Sequence, residues 1–399
     1  MNLVIVESPA KAKTINKYLN ESDKLKKLGS FNVIASFGHI RDLDKKNGID
    51  LDNNFKPNYI LIQNDFTEKS IKNLTENIKK SDTIWLAADL DREGEAIAWH
   101  IKEHFKLKSP KRITFNEITK DAITTAVLNP RKIDNDLVDA QQARRFIDRI
   151  VGFDITPLLW KKFNTSTTLS AGRVQSAVLK IIIDKENEIN KFKTSSYYTV
   201  SGNFKIDKHD VENAKYELND STHKFKTDKE VVKFLKKLKK EYTLDNVKTS
   251  NKSSKAPPPF ITSSLQQTAS GELKMSIKQV MGVAQALYEA GLITYMRTDS
   301  YNLSKDVLQN IEKYVKDNYG EKYYLGGNRT KKSKNSQEAH EAIRPSNIKT
   351  LAKDINITGK IKADHKKLYD LIWKRTVASQ MQPAKYYDIG ICIKNEVFK

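Results

Sequence analysis

The chain has 399 residues and a formal charge of +21, from 70 Lys and Arg against 49 Asp and Glu. That is length enough for two or more domains, and the basic excess favours a polyanionic partner, nucleic acid first, although a lysine-rich proteome gives the same balance. The single cysteine, Cys392, excludes an internal disulfide or a thiolate zinc site, and the absence of an apolar run of about 18 residues predicts a cytoplasmic protein without a membrane partner.

Asn2–Val6 reads as a buried strand ending at Glu7. Ser8 and Pro9 then supply an N-cap and a first-turn proline for a helix to about Asn20. Residues 33–36 read as a second strand, 38–42 as a polar turn and 44–58 as a loose segment. An apolar strand over 83–88 runs into Asp89, Asp91, Glu93 and Glu95, then a helix through Ala96, Ile97, Ile101 and Phe105. Alternate carboxylates at 89, 91 and 93 can converge as the chain leaves the strand, where open α/β sheets bind ligands. With Glu7 they offer four hard oxygen donors, a set suited to Mg²⁺. The competing reading, acids favouring a helix N-terminus by about 0.3–1 kcal/mol, needs only one or two of them. His100 and His104 lack a third soft ligand and read as an exposed helix face, not a zinc site. No GxxxxGK[ST] sequence occurs, so no P-loop ATP hydrolysis is expected.

Residues 134–153 read as a helix with Leu137, Ala140, Ala143, Phe146, Ile147 and Ile150 inward. Gln141, Gln142, Arg144, Arg145, Asp148 and Arg149 are left on a polar surface able to meet phosphates. The run from Ser170 through Ala171, Gly172, Arg173, Val174 and Gln175 joins small residues to an arginine and a glutamine that suit phosphate or base edges. Surface salt bridges account for these arginines equally well. Alternation returns at 197–204, 229–242 reads as a lysine-rich helix with a solvated face, and the polar and triple-proline stretch at 251–259 marks a boundary. A helical unit over 262–290 ends at Gly291, a left-handed C-cap, and 292–296 read as a short strand placing Tyr295 and Arg297 on one face. A phenol beside a guanidinium can attack a phosphodiester while the cation stabilises the phosphoryl charge, but taken alone the pair is more economically a polar strand face. Ser304 then caps a helix with Val307, Leu308, Ile311, Tyr314 and Val315 on one side, and 326–336 form a basic loop. His340 does not complete HExxH, because Arg344 stands at the second histidine position. A helix around 368–381 and a strand over 387–393 follow.

Seven stretches together resemble the bacterial type IA DNA topoisomerases, in that family's order: 6–15, 38–43, 89–96, 170–175, 257–260 with Gln266 and Gln267, 293–300 and 340–346. The resemblance implies a multidomain α/β plus α+β fold. A Rossmann-like Toprim metal-binding domain would occupy 1–130, a DNA-binding helical segment and the first part of a β-rich arch 131–255, the helical tyrosine-bearing domain 256–348, and a returning, incomplete arch segment 349–399. It implies ATP-independent, Mg²⁺-dependent relaxation of negatively supercoiled DNA through a 5′-phosphotyrosine intermediate, strand passage and religation. Tyr295 would be the nucleophile, Arg297 and Lys11 would stabilise phosphoryl charge, and Glu7 would protonate the leaving 3′-oxygen. Glu7, Asp89, Asp91 and Glu93 would hold Mg²⁺. His39, Arg144, Arg145, Asp148, Phe153, Trp160, Ser170, Ala171, Gly172, Arg173, Val174, Gln175, Arg297 and His340 would line the path of single-stranded DNA. Met296, between Tyr295 and Arg297, points to the topoisomerase I branch over the topoisomerase III branch, where proline is usual.

The family's core normally continues past this length, and residues 164–168 depart from its usual loop. The expectation is therefore a nucleoid-associated monomer lacking the closing part of the ring, with a fragment, a split gene complemented in trans at its C-terminal side and a reduced form left open. The rival expectations are a truncated core that binds or cleaves single-stranded DNA without relaxing it, and another Toprim enzyme, a primase or nuclease, which has no need of Tyr295.

Overall fold

The computed structural model describes residues 1–164, 169–206, 209–218, 221–326, 341–355 and 363–394. The expectations for His340, for the basic loop beyond 326 and for most of the 164–168 loop lie outside the described residues. Two compact units are present, one from Met1–Ser170 and Lys255–Pro383, the other from Ala171–Ser254 and Ala384–Lys399.

The first unit is built on a parallel sheet. Strand β1 (Asn2–Val6) lies between β2 (Phe31–Ala35) and β5 (Thr83–Leu86), with β6 (Lys111–Arg112) outside β5. All five β1 residues are buried because helices cover both faces. Val4 and Val6 pack in one core with Ile15 and Leu19 of α1 (Pro9–Asn20), while Leu3 and Ile5 pack in the other with Leu74 of α2 (Asp65–Lys79) and Ile97 and Ile101 of α3 (Arg92–His104). The period of two along the strand thus feeds two cores.

Between β2 and α2 the chain forms a small antiparallel ribbon, β3 (Arg41–Leu43) on β4 (Tyr59–Leu61), where a polar turn and a loose segment were expected. This ribbon brings Tyr59 onto α3 and corrects the exposed-face reading of His100. That histidine is buried, with its ring 4.7 Å from Tyr59, 4.8 Å from Trp99 and 5.8 Å from His39. Burial, and then the Arg41 and His39 charges, push its pKa down to about 3. Because the folded value lies below the ordinary 6.5, the unfolded chain takes a proton that the fold refuses. Stability is whole above pH 6.5 and is lost as pH falls toward 3, by at most about 2 kcal/mol at pH 5 from this group. The His100→Phe variant should therefore show a flatter decline of its urea midpoint between pH 7 and pH 5.

After α4 (Lys120–Leu128), α5 (Asn135–Ile150) keeps the expected phase only in part, with Leu137, Phe146 and Ile150 half-buried. Val138 and Gln141 are its buried residues, while Ala140, Ala143 and Ile147 are exposed. Polar contacts set the rotation. Gln141 reaches Glu93, Arg145 forks onto Asp42 at 2.6–3.0 Å, and Arg149 donates to the carbonyls of Asp44 and Lys45. A short π turn leads to α6 (Thr156–Phe163).

In the second unit α7 (Arg173–Lys191) opens at Gly172. Strands β7 (Ser201–Ile206) and β8 (His209–Lys215) form an antiparallel pair, and β9 (Thr243–Ser254) pairs with β10 (Ala384–Lys394) along its whole length. The lysine-rich helix is shorter than expected: α8 (Asp228–Leu235) is anchored by Phe234 against Tyr216 and Phe225, and the remainder turns into β9.

The chain rejoins the first unit through α9 (Thr262–Glu272), α10 (Ile277–Glu289), α11 (Lys305–Tyr319) and α12 (Ala363–Ala378), whose apolar faces continue the core begun by β1 and α1. Ser304 stands at the N-cap of α11, yet its side chain makes no capping bond. Among the described residues no helix is long and apolar enough to cross a membrane.

Candidate active site

The site lies within the first unit and begins where β1 stops. Glu7 follows the last strand residue, and Ser8 caps α1. Lys11, one turn into the helix and 1 % exposed, sits 2.5 Å from Asp89 Oδ1 and 3.8 Å from Glu7 Oε2. The Asp89 backbone N–H donates to the Glu7 carboxylate. Burial, and then the Asp89 charge, push Glu7 up to about 7, against the pull of Lys11. Asp91 caps α3 by accepting from Gly94 N–H at 2.9 Å. Glu93 accepts from Gln141 at 3.0 Å and lies 3.5 Å from His39 Nε2; the His39 bond first, then Gln141, holds its carboxyl down at about 2.

Beneath the acids lies a network absent from the sequence reading. Arg112, fully buried, donates to Glu95 at 3.0 Å and to the carbonyls of Ala88, Ile113 and Asp89 at 2.7, 2.8 and 2.6 Å. Glu95 also accepts from Arg131 and from the Asp134 N–H. The backbone that carries Asp89 is therefore held by a charged group with every nearby carbonyl engaged.

The tyrosine-bearing segment follows α10. Gly291 ends that helix at φ +73°, with its N–H on Tyr288 O and the Leu292 N–H on Leu287 O. A Cβ at this position would stand 2.4 Å from Ile118 O, so glycine is required by conformation and by space. The expected strand over 292–296 is not formed. The segment makes single bonds to different partners, Thr294 N–H to Arg344 O and Tyr295 N–H to Asn116 O, and an isolated bridge pairs Ile293 with Pro345.

Tyr295 and Arg297 nevertheless reach the same side. The Tyr295 hydroxyl donates to Asp91 Oδ2 at 2.7 Å, and Arg297 Nη1 lies 3.2 Å from that oxygen. Burial, then Asp89 and Asp91, push the Tyr295 phenol upward, so it rests protonated. Tyr288, also missed from sequence, is fully buried with its ring 5.1 Å from that of Tyr295 and its hydroxyl 3.3 Å from Asp89 Oδ1.

A cavity of about 590 Å³ opens here, lined by Glu7, Lys11, Asp89, Asp91, Glu93 and Arg297, with Phe37, Met281 and Gln285. The acids line it but do not gather: among the described residues no three His, Cys, Asp or Glu side chains form a ready ligand shell. Glu7, Asp91 and Glu93 are each turned toward a protein donor. The donor chemistry still fits Mg²⁺, which takes one or two carboxylates and keeps waters. All the donors are hard oxygens, and Glu7 is raised first by its burial and then by the neighbouring Asp89 charge, against the pull of Lys11.

Of the residues expected along a DNA path, His39 joins the site through Glu93, and Arg144 is exposed and helps to lower Glu93. Arg145 is engaged by Asp42, which makes it a salt-bridge partner here. Asp148 is half-buried, Phe153 is exposed beneath the Arg149 guanidinium at 3.6 Å, and Trp160 donates to Leu169 O. Ser170 ends a segment of the first unit. Ala171, Gly172, Arg173, Val174 and Gln175 belong to the second, where Gly172 is the N-cap of α7.

Residues 2–118 match the family model of the Toprim domain, and 132–399 match that of DNA topoisomerase. Two curated relatives named DNA topoisomerase 1, from Rickettsia bellii and Rickettsia felis, are each 47% identical over 96% of this chain. The chain spans about half of their length, 49% and 50%. The solved structure of full-length topoisomerase I from Thermotoga maritima matches with a TM-score of 0.80 at 38% identity, covering 99% of this chain and 63% of that one. With a Toprim sheet carrying the acids and a tyrosine bonded to one of them, the chain belongs to the bacterial type IA DNA topoisomerase family.

Proposed function

We propose that this chain cleaves and rejoins one strand of DNA through a 5′-phosphotyrosine at Tyr295, with Mg²⁺ and without ATP, and that this chemistry serves the relaxation of negatively supercoiled DNA. The observation that carries the reading is the 2.7 Å bond from the Tyr295 hydroxyl to Asp91, on a cavity shared with Glu7, Lys11 and Arg297. Tyr295 oxygen attacks the phosphorus, its proton leaving toward the Asp91 carboxylate, and the bond to the 3′-oxygen breaks. Glu7, held near neutrality, carries the proton that the 3′-oxygen takes and recovers it on religation. Arg297 and Lys11 offset the charge that builds on the phosphoryl oxygens. Glu7, Asp89, Asp91 and Glu93 are the residues that would hold Mg²⁺, and the ion when bound supplies further positive charge against the phosphate. Since the phosphotyrosine ester conserves the energy of the broken one, religation needs no nucleotide.

The proposed division is a Toprim domain at 1–130, a DNA-binding segment and arch at 131–255 and 349–399, and a tyrosine-bearing domain at 256–348. His39, Arg144 and the 170–175 run are the proposed contacts to a single strand, in a nucleoid-associated monomer. The test is a labelled single-stranded oligonucleotide with Mg²⁺, quenched in denaturant, followed by a plasmid relaxation gel on the same preparation. The expected result is a protein-linked 5′ end and relaxed plasmid. Cleavage without an adduct would overturn the reading, and an adduct without relaxation would restrict it to cleavage and rejoining.

A further inference from the structure

We propose that Phe37 is a base-stacking platform that grips one nucleotide of the single strand at the Tyr295 cavity. The proposal rests on the DNA-cleaving reading above and concerns a residue outside the reacting set. Phe37 lines the cavity that holds Lys11, Arg297 and the acids, and it is 55% exposed. Its backbone has φ +60°, and Gly38 follows at +94°. A bulky L-residue in the left-handed region is strained, and a ring left more than half exposed returns little burial to offset that strain.

The surrounding chain imposes that geometry. The Ser36 N–H extends the β1–β2 pairing onto Val6 O at 2.8 Å, the Ser70 hydroxyl donates to Ser36 O at 3.0 Å, and the Ser36 hydroxyl donates to Gly38 O at 3.1 Å. Just beyond, His39 meets Glu93. With both flanks tied, the ring is held out of the core on a fixed stalk. Its cavity wall carries cations for a phosphate and, in Met281 and Gly282, surface on which a flat ring can slide in. Single-strand binders combine these two parts, a charged track for the backbone and an aromatic face for a base, and the grip tolerates any base because every base has a π face.

The test uses the whole chain in the Tyr295→Phe background, so that binding is read without cleavage, and short oligonucleotides carrying 2-aminopurine at successive positions. One position should be quenched by stacking, and Phe37→Gly should abolish that quench and raise Kd between about five- and a hundredfold. Phe37→Trp should restore both. Because glycine relieves the left-handed strain, Phe37→Gly should also melt at the same temperature as its parent or higher, the reverse of what a structural phenylalanine gives. With Tyr295 intact, Phe37→Gly should raise KM for adduct formation by a larger factor than it lowers the rate at saturating DNA. An unchanged Kd, or a lowered melting temperature with no change in quenching, would overturn the platform. A wild-type chain that shows the quench but forms no adduct supports the platform while removing the nucleophile reading, so the two fail separately.

Discussion

On the proposed mechanism, Tyr295→Phe is expected to lower adduct formation by at least about 10⁴-fold while single-strand affinity stays within about threefold, because removing a nucleophile that works as part of a unit removes nearly all of the unit's effect. The substitution is close to isosteric. The ring keeps its place against Tyr288, the backbone bond to Asn116 O is untouched, and the loss is one hydrogen bond to Asp91, worth about 1 kcal/mol. No neighbouring phenol takes over. Tyr288 has no exposed surface, and its hydroxyl is on Asp89. A denaturing gel of end-labelled oligonucleotide reads the result directly. An adduct persisting at a tenth of the wild-type rate would place the nucleophile elsewhere and sink the assignment.

What could be read from sequence follows from the range of the interactions involved. β1, α1 with its Ser8–Pro9 start, the strand before Asp89 and the Gly291 stop are decided within a few residues by burial period and capping, and these appear as expected. The acidic half and the tyrosine half of the proposed site were legible as separate motifs about 200 residues apart. Their contact through Asp91 and Tyr295 is a tertiary fact that no local window holds. The failures share that cause. Helix α5 turns Gln141 inward onto Glu93 and ties the half-exposed Arg145 to Asp42, so Ala140, Ala143 and Ile147, expected inward, are exposed. His100 is buried by a ribbon whose strands have three residues each, too short for periodicity to register. Arg112 sits in a two-residue strand, and its role is visible only in the four carbonyls gathered around it. The Tyr295 segment is extended but borrows its bonds from separate places, so alternation correctly put Tyr295 and Arg297 together without making a strand.

Gly94→Ala should be the most damaging methyl group that can be added to the acidic loop. By helix propensity alone, alanine inside α3 would gain about 1 kcal/mol. The space forbids it: a Cβ on residue 94 would lie 2.3 Å from Asp89 O, 2.7 Å from Asp89 N and 2.8 Å from Asp89 C, all backbone atoms that no rotamer can move aside. Either the start of α3 or the loop itself must shift. Asp89 is fixed from below by Arg112 and from the side by Lys11, so the shift breaks one of those bonds or carries Asp91 away from Tyr295. Displacement of a reacting constellation by about 1 Å can cost 100-fold, and overpacking typically costs about 1–3 kcal/mol. The expected result is strand-cleavage and rejoining turnover at least about 100-fold slower, with more Mg²⁺ needed for half-maximal rate and a lower urea midpoint. Gly271→Ala in α9 is the control. A Cβ there meets nothing within 4 Å, so it should gain up to about 1 kcal/mol and leave turnover unchanged. If Gly94→Ala behaved like Gly271→Ala, the close packing of α3 on the Asp89 backbone would not be what holds the acids in register with the tyrosine.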